Sequence, residues 1–141
     1  MSEKRELLAR IAEALERLAP PPPPAPDWLS HPAYVWDGSA ARSLDAIEAP
    51  KLELLGGIEA QKARVTENIS RLAQGHAAHD MLLWGARGMG KSALVRAAIV
   101  AAQERDPGSV ALVQVATDAL ASLSALFTIL GREPRNYLIF I

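Results

Sequence analysis

Residues 85–92 read Gly-Ala-Arg-Gly-Met-Gly-Lys-Ser, a complete G-x-x-x-x-G-K-[ST] pattern. No other stretch restricts the fold so tightly, because each fixed residue has a physical task. Gly85 and Gly90 let the backbone turn sharply and approach a polyphosphate with no Cβ in the way. The amides of Gly88 through Lys91 can then point inward as an anion-binding nest, reinforced by the positive end of a following helix. Lys91 has the reach for β- and γ-phosphates, and the Ser92 hydroxyl is a Mg²⁺ ligand. A glycine-rich turn that binds nothing is the bland alternative.

Such a loop needs a strand before it and a helix after it. Met81-Leu82-Leu83-Trp84 is a short apolar run entered from the polar turn at residues 75–80, so a buried parallel strand is expected there. Residues 93–102 are rich in alanine and lack Gly and Pro, which predicts a helix. Asp106-Pro107-Gly108-Ser109 ends it with a turn.

A chain of 141 residues suits one domain of ordinary size. A net charge of −1 gives no bulk attraction to nucleic acid or to an acidic membrane surface. With no cysteine, disulfides, thiolate metal sites and cysteine catalysis are excluded. No run approaches the ~18 apolar residues of a membrane span, so a cytoplasmic location is expected.

The chain before the loop divides into an N-terminal helix (1–19), a proline-rich linker (20–26), a connecting segment (27–51) and a nucleotide core (52–141). Leu8, Ile11, Leu15 and Leu18 recur at helical spacing with Leu7 beside them, and charges cover the other faces. That amphipathic helix, over residues 3–19, either folds back onto the protein, self-associates as a short coiled coil or docks on a partner. Pro20 to Pro24 and Pro26 end it and favour extended polyproline II, as a spacer or as a docking site for a proline-recognising domain. Residues 28–36 hold Trp28, Tyr34 and Trp36. Aromatics so concentrated usually bury themselves against a neighbouring surface, here as a clamp on the outside of the core; the alternatives are a partner-docking patch or part of a lid over the nucleotide.

In the core, Ile58, Val65, Ile69 and Leu72 give a helix one apolar face, and Gly75 suits the position past its end. Val110–Val115 is a second strand, Thr117–Leu130 a second helix, and Tyr137–Ile141 a third strand. This alternation predicts a doubly wound α/β fold with a parallel sheet. Thr117 and Asp118 suit helix capping better than metal coordination. His76 and His79 lack a clear third ligand beyond Asp80. Arg87 either touches phosphate or is solvated, and Arg96 reads as a surface charge.

The residues Gly57-Ile58-Glu59-Ala60-Gln61-Lys62, then Asn68, then Leu82 through Val95 resemble a bacterial family of AAA-type ATP-binding proteins, described chiefly as a domain of unknown function. The resemblance covers about residues 50–141, and Trp84 through Ser92 is its most specific part. It implies a P-loop NTPase three-layer sandwich binding ATP and Mg²⁺ through Gly85, Ala86, Arg87, Gly88, Met89, Gly90, Lys91, Ser92 and Ala93. It also implies that Leu55, Gly57 and Ile58 hold the adenine.

In that family an acidic pair follows the third strand and serves Mg²⁺ and the attacking water. Here the sequence ends at Ile141. The expectation is therefore the front part of an ATPase that binds nucleotide with little or no hydrolysis. A further expectation is poor solubility alone, or self-association, from an exposed sheet edge. The other reading is a non-catalytic adaptor that binds a partner through residues 3–19 and 28–36, its nucleotide site vestigial or a sensor.

Overall fold

Apolar residues alternate face by face along three strands, and that alternation explains how the chain forms layers. The computed structural model describes residues 2–21, 24–78, 80–83 and 90–141. In chain order it has helix α1 (Ser2–Leu18), strands β1 (Ala33–Trp36) and β2 (Ala41–Leu44), and a 3-10 turn (Leu52–Leu54). Helices α2 (Glu59–Ala73) and α3 (Lys91–Arg105) follow, then β3 (Val110–Val115), a second 3-10 turn (Thr117–Ser122), α4 (Leu123–Leu130) and β4 (Asn136–Phe140).

Among the described residues the sheet runs β2-β1-β3-β4. β1 pairs antiparallel with β2, whereas β1 with β3 and β3 with β4 are parallel. Asp37 shapes the β1–β2 hairpin: its carboxylate accepts hydrogen bonds from the amides of Ser39 (2.9 Å) and Ala40 (2.8 Å). Gly38 sits there at φ 109°, which glycine adopts without a Cβ penalty.

On one face of the sheet, Ala33, Val110, Leu112, Leu138 and Phe140 pack against Val65 and Ile69 of α2 and Leu94, Val95, Ala98 and Ile99 of α3. On the other, Tyr34, Trp36, Ala111, Val113, Val115, Tyr137 and Ile139 pack with Trp28, Ala119, Leu126 and Leu130. The period of two along β3 and β4 thus serves two cores, with helices on both faces.

Four expectations need correction. First, the sheet is mixed, not wholly parallel, because β2 folds back on β1. Second, Met81, Leu82 and Leu83 do not form a strand, and Trp84 lies outside the described residues. β3 has two edges, which β1 and β4 occupy, so this run finds no position beside it. Leu82 is left 86% exposed.

Third, residues 27–51 are not merely a connection. β1 and β2 belong to the sheet, and Trp28, Tyr34 and Trp36 are buried. The aromatics bury themselves, as expected, but as part of the sheet and its second core rather than as a clamp outside it. Aromatic and β-branched side chains fill a two-sided strand well, which local spacing could not reveal. Fourth, every residue from Ser2 to Leu18 is exposed, so α1 does not fold back onto the body.

The predicted helix at 117–130 divides into the 3-10 turn and α4. At the junction, the Ser122 hydroxyl donates to the Ala119 carbonyl at 2.6 Å. Such local side-chain bonds compete with α-helical continuation. Ala116 holds the cap position with no side-chain cap bond, which places Thr117 and Asp118 in the first turn instead.

Candidate functional site

The position of the α3 N-terminus follows from contacts at the opposite end of the helix. Gln103 Nε2 donates to the carbonyls of Pro32 (2.9 Å) and Val110 (3.0 Å), where β1 and β3 begin. A helix of 15 residues is about 22 Å long. Packed back along the sheet, it brings Gly90 to the carboxyl ends of the parallel strands. In open α/β sheets that is where ligands bind.

Gly90 caps α3 in the left-handed conformation, at φ 78° and ψ 16°. Its carbonyl accepts the Leu94 amide at 2.8 Å, the first bond of the helix. Among the described residues no side chain caps this end, and the first turn carries no acidic residue. The leading amides of a helix have no intrahelical acceptor and carry a partial positive charge. The end of α3 therefore suits an anion chemically. Lys91, half-buried, Ser92, exposed, and Ala93 all lie in its first turn. Gly85, Ala86, Arg87, Gly88 and Met89 lie outside the described residues.

The three residues expected at the adenine lie at the entry to α2. Leu55 and Ile58 pack on the core formed by α2, α3 and the sheet. Gly57, exposed and at φ 77°, turns the chain toward α2. The Leu55 carbonyl accepts the Lys62 ammonium at 3.4 Å. These contacts are those of an ordinary helix entry.

Two clefts flank the core. One of about 570 Å³ runs along β4, between Tyr137–Ile141, residues 80–83, Asn68 and Leu72 of α2, and Phe127 of α4. The other, about 630 Å³, is lined by Glu59, Lys62, Thr66, Glu67 and Arg71 of α2, the first 3-10 turn and Arg105. Lys91 and Ser92 line neither. Among the described residues no group of three His, Cys, Asp or Glu side chains could hold a metal. His79 is outside them, and Asp118 is exposed.

A dense polar network lies at the amino ends of the strands. The Arg135 guanidinium donates to the carbonyls of His31 (2.7 Å), Pro107 (3.1 Å) and Trp28 (3.3 Å). Tyr137 donates its hydroxyl to the Trp28 carbonyl at 2.7 Å, and Tyr34 to the Asp27 carbonyl at 2.5 Å. The Trp28 ring lies 4.6 Å from that of Tyr34 and 6.1 Å, edge-on, from that of Tyr137. Burial raises the pKa of both tyrosines, that of Tyr137 to about 12. Sequence reading assigned Arg135 and Tyr137 no such role. The acceptors of Arg135 are backbone carbonyls, which leave no trace in side-chain patterns.

Residues 29–141 match a family described as "Protein of unknown function (DUF815)". The matched region holds the whole sheet and leaves out α1 and the proline-rich linker. No curated protein and no solved structure matches the chain.

Proposed function

The chain belongs to the DUF815 family, and on that premise we propose that it is a nucleotide-binding module taking ATP with Mg²⁺ at residues 85–93. The observation that carries the reading is the junction Gly90-Lys91-Ser92. A left-handed glycine leads into a helix whose first turn carries no carboxylate and, among the described residues, no side-chain cap, and which contains an ammonium and a hydroxyl. Polyphosphate supplies the negative charge that such an end favours. In this proposal Lys91 holds the outer phosphates, and Ser92 contributes one ligand to a Mg²⁺ that arrives with the nucleotide. The finer fold reading, an AAA-type P-loop domain, belongs to the same proposal. Its supports are the loop sequence, the helix after it, and the helices on both faces of a sheet with three parallel strands. The packing of Leu55 and Ile58 lends no support to an adenine site there.

The proposal covers binding and assigns no turnover. Titration calorimetry of the full chain with MgATP tests it. Saturable binding is expected, with at least a tenfold loss in Lys91→Ala, roughly the effect of one charge-assisted contact. A folded chain that gives no binding signal at millimolar MgATP would end the proposal. Parallel titration with MgGTP reads base preference.

A further inference from the structure

Helix α1 belongs to neither core, and its chemistry specifies what covers it. Heptad positions a fall on Leu8 and Leu15, and positions d on Ile11 and Leu18, all of them exposed. The flanking g and e positions are apolar as well: Leu7 and Ala14 on one side, Ala12 and Ala19 on the other. The charged residues after Arg5 all lie on the remaining faces, where Glu6–Arg10 and Glu13–Arg17 have the i,i+4 spacing that supports a solvated surface. A single helix of 17 residues is marginal in water without such cover.

Three observations identify the occupant as further copies of α1. The helix carries four acids (Glu3, Glu6, Glu13, Glu16) and four bases (Lys4, Arg5, Arg10, Arg17), so identical helices meet with no net repulsion. That balance also gives an anionic membrane nothing to attract. The apolar strip from Leu7 to Ala19 is about 20 Å long. A two-helix seam of that length falls well short of the roughly 800 Å² per partner of a stable pair, whereas a helix in a larger bundle also buries its e and g flanks. Leucine at both a positions with isoleucine at one of the two d positions, Ile11, leans toward three or four strands over two.

We propose that α1 gathers copies of this chain into a bundle of three or four helices, with the α/β bodies carried outside on the proline-rich spacer. Seven residues of polyproline II span roughly 20 Å, enough to separate bodies from bundle. The inference is independent of nucleotide binding.

Sedimentation equilibrium of the full chain, from micromolar to submillimolar concentration, tests it. The average mass should rise to three or four chains. Leu8→Asp combined with Leu15→Asp should return it to one chain, while the fluorescence-monitored melt of the tryptophan-containing body stays unchanged. Glu13→Gln, on the outer face, should leave the mass as it was. A single-chain mass throughout overturns the proposal, as does an oligomer that survives the double substitution, since it must form elsewhere. A dimer dissolved by the double substitution overturns the bundle of three or four.

Discussion

The Arg135 guanidinium lies 2.7 Å from the carbonyl oxygen of His31, a contact that joins the segment entering β4 to the segment entering β1. β1 and β4 are not neighbours, since β3 lies between them. The same guanidinium reaches Pro107, just before β3. One side chain therefore ties together the amino ends of all three parallel strands.

Arg135→Ala should destabilise the fold by roughly 1–3 kcal/mol, because several carbonyl acceptors, most of them part-buried, lose a charged donor. Arg135→Lys should recover only part of this, since an ammonium cannot reproduce the planar fork. Urea denaturation followed by tryptophan fluorescence measures both. A loss below about 0.5 kcal/mol for the alanine variant would show that water replaces the guanidinium.

Trp36 provides a test on the opposite end of the same strands. Its indole Nε1 donates to the Ser122 hydroxyl at 2.7 Å. Ser122→Ala strands that buried donor and should cost about 1–3 kcal/mol. Trp36→Phe removes the donor together with some ring volume, while the hydroxyl keeps its bond to the Ala119 carbonyl. In a double-mutant cycle with unfolding free energies, the two costs should be clearly non-additive.

The two raised tyrosines predict an alkaline limit to stability. Tyrosine is charged when it loses its proton, and burial disfavours that form in the folded state. The neutral hydroxyls therefore contribute stability that is fully present below the ordinary value of 10.0 and is lost as the pH rises through about 12. The urea midpoint should fall across that window, and Tyr137→Phe should flatten the fall. An unchanged pH profile in that variant would remove Tyr137 as a cause.

Gly90 separates backbone from binding effects. Among the described residues a Cβ there meets no heavy atom within 4 Å, so the φ of 78° is the strain Gly90→Ala meets, at about 1–2 kcal/mol. Lys91→Ala should weaken MgATP binding at least tenfold, with a thermal melt of the same variant separating any folding effect from the binding effect. Ser92→Ala should weaken MgATP more than ATP in the presence of a chelator. Equal losses in both conditions would count against Ser92 as a metal ligand.

How much of this was legible beforehand can be argued from particular elements. The spacing of Val65, Ile69 and Leu72 and the run Val110–Val115 placed α2 and β3 within a residue or two, because a buried face imposes its own period. Leu8, Ile11, Leu15 and Leu18 marked α1 in the same way. The glycine that opens α3 was legible from its place in the loop pattern, and it has the positive φ that pattern requires.

The sequence by itself determined helices α1, α2 and α3, strand β3 and the turns that bound them. Those properties depend on side chains a few residues apart. Only the tertiary structure decided that Ala33–Trp36 takes the edge of β3, that Met81–Leu83 stays outside the sheet, and that Arg135 closes the amino ends of the strands. Strand pairing and carbonyl recognition are non-local: apolar runs of similar length compete for the same edges, and the winner depends on which arrangement fills both faces of β3 at once.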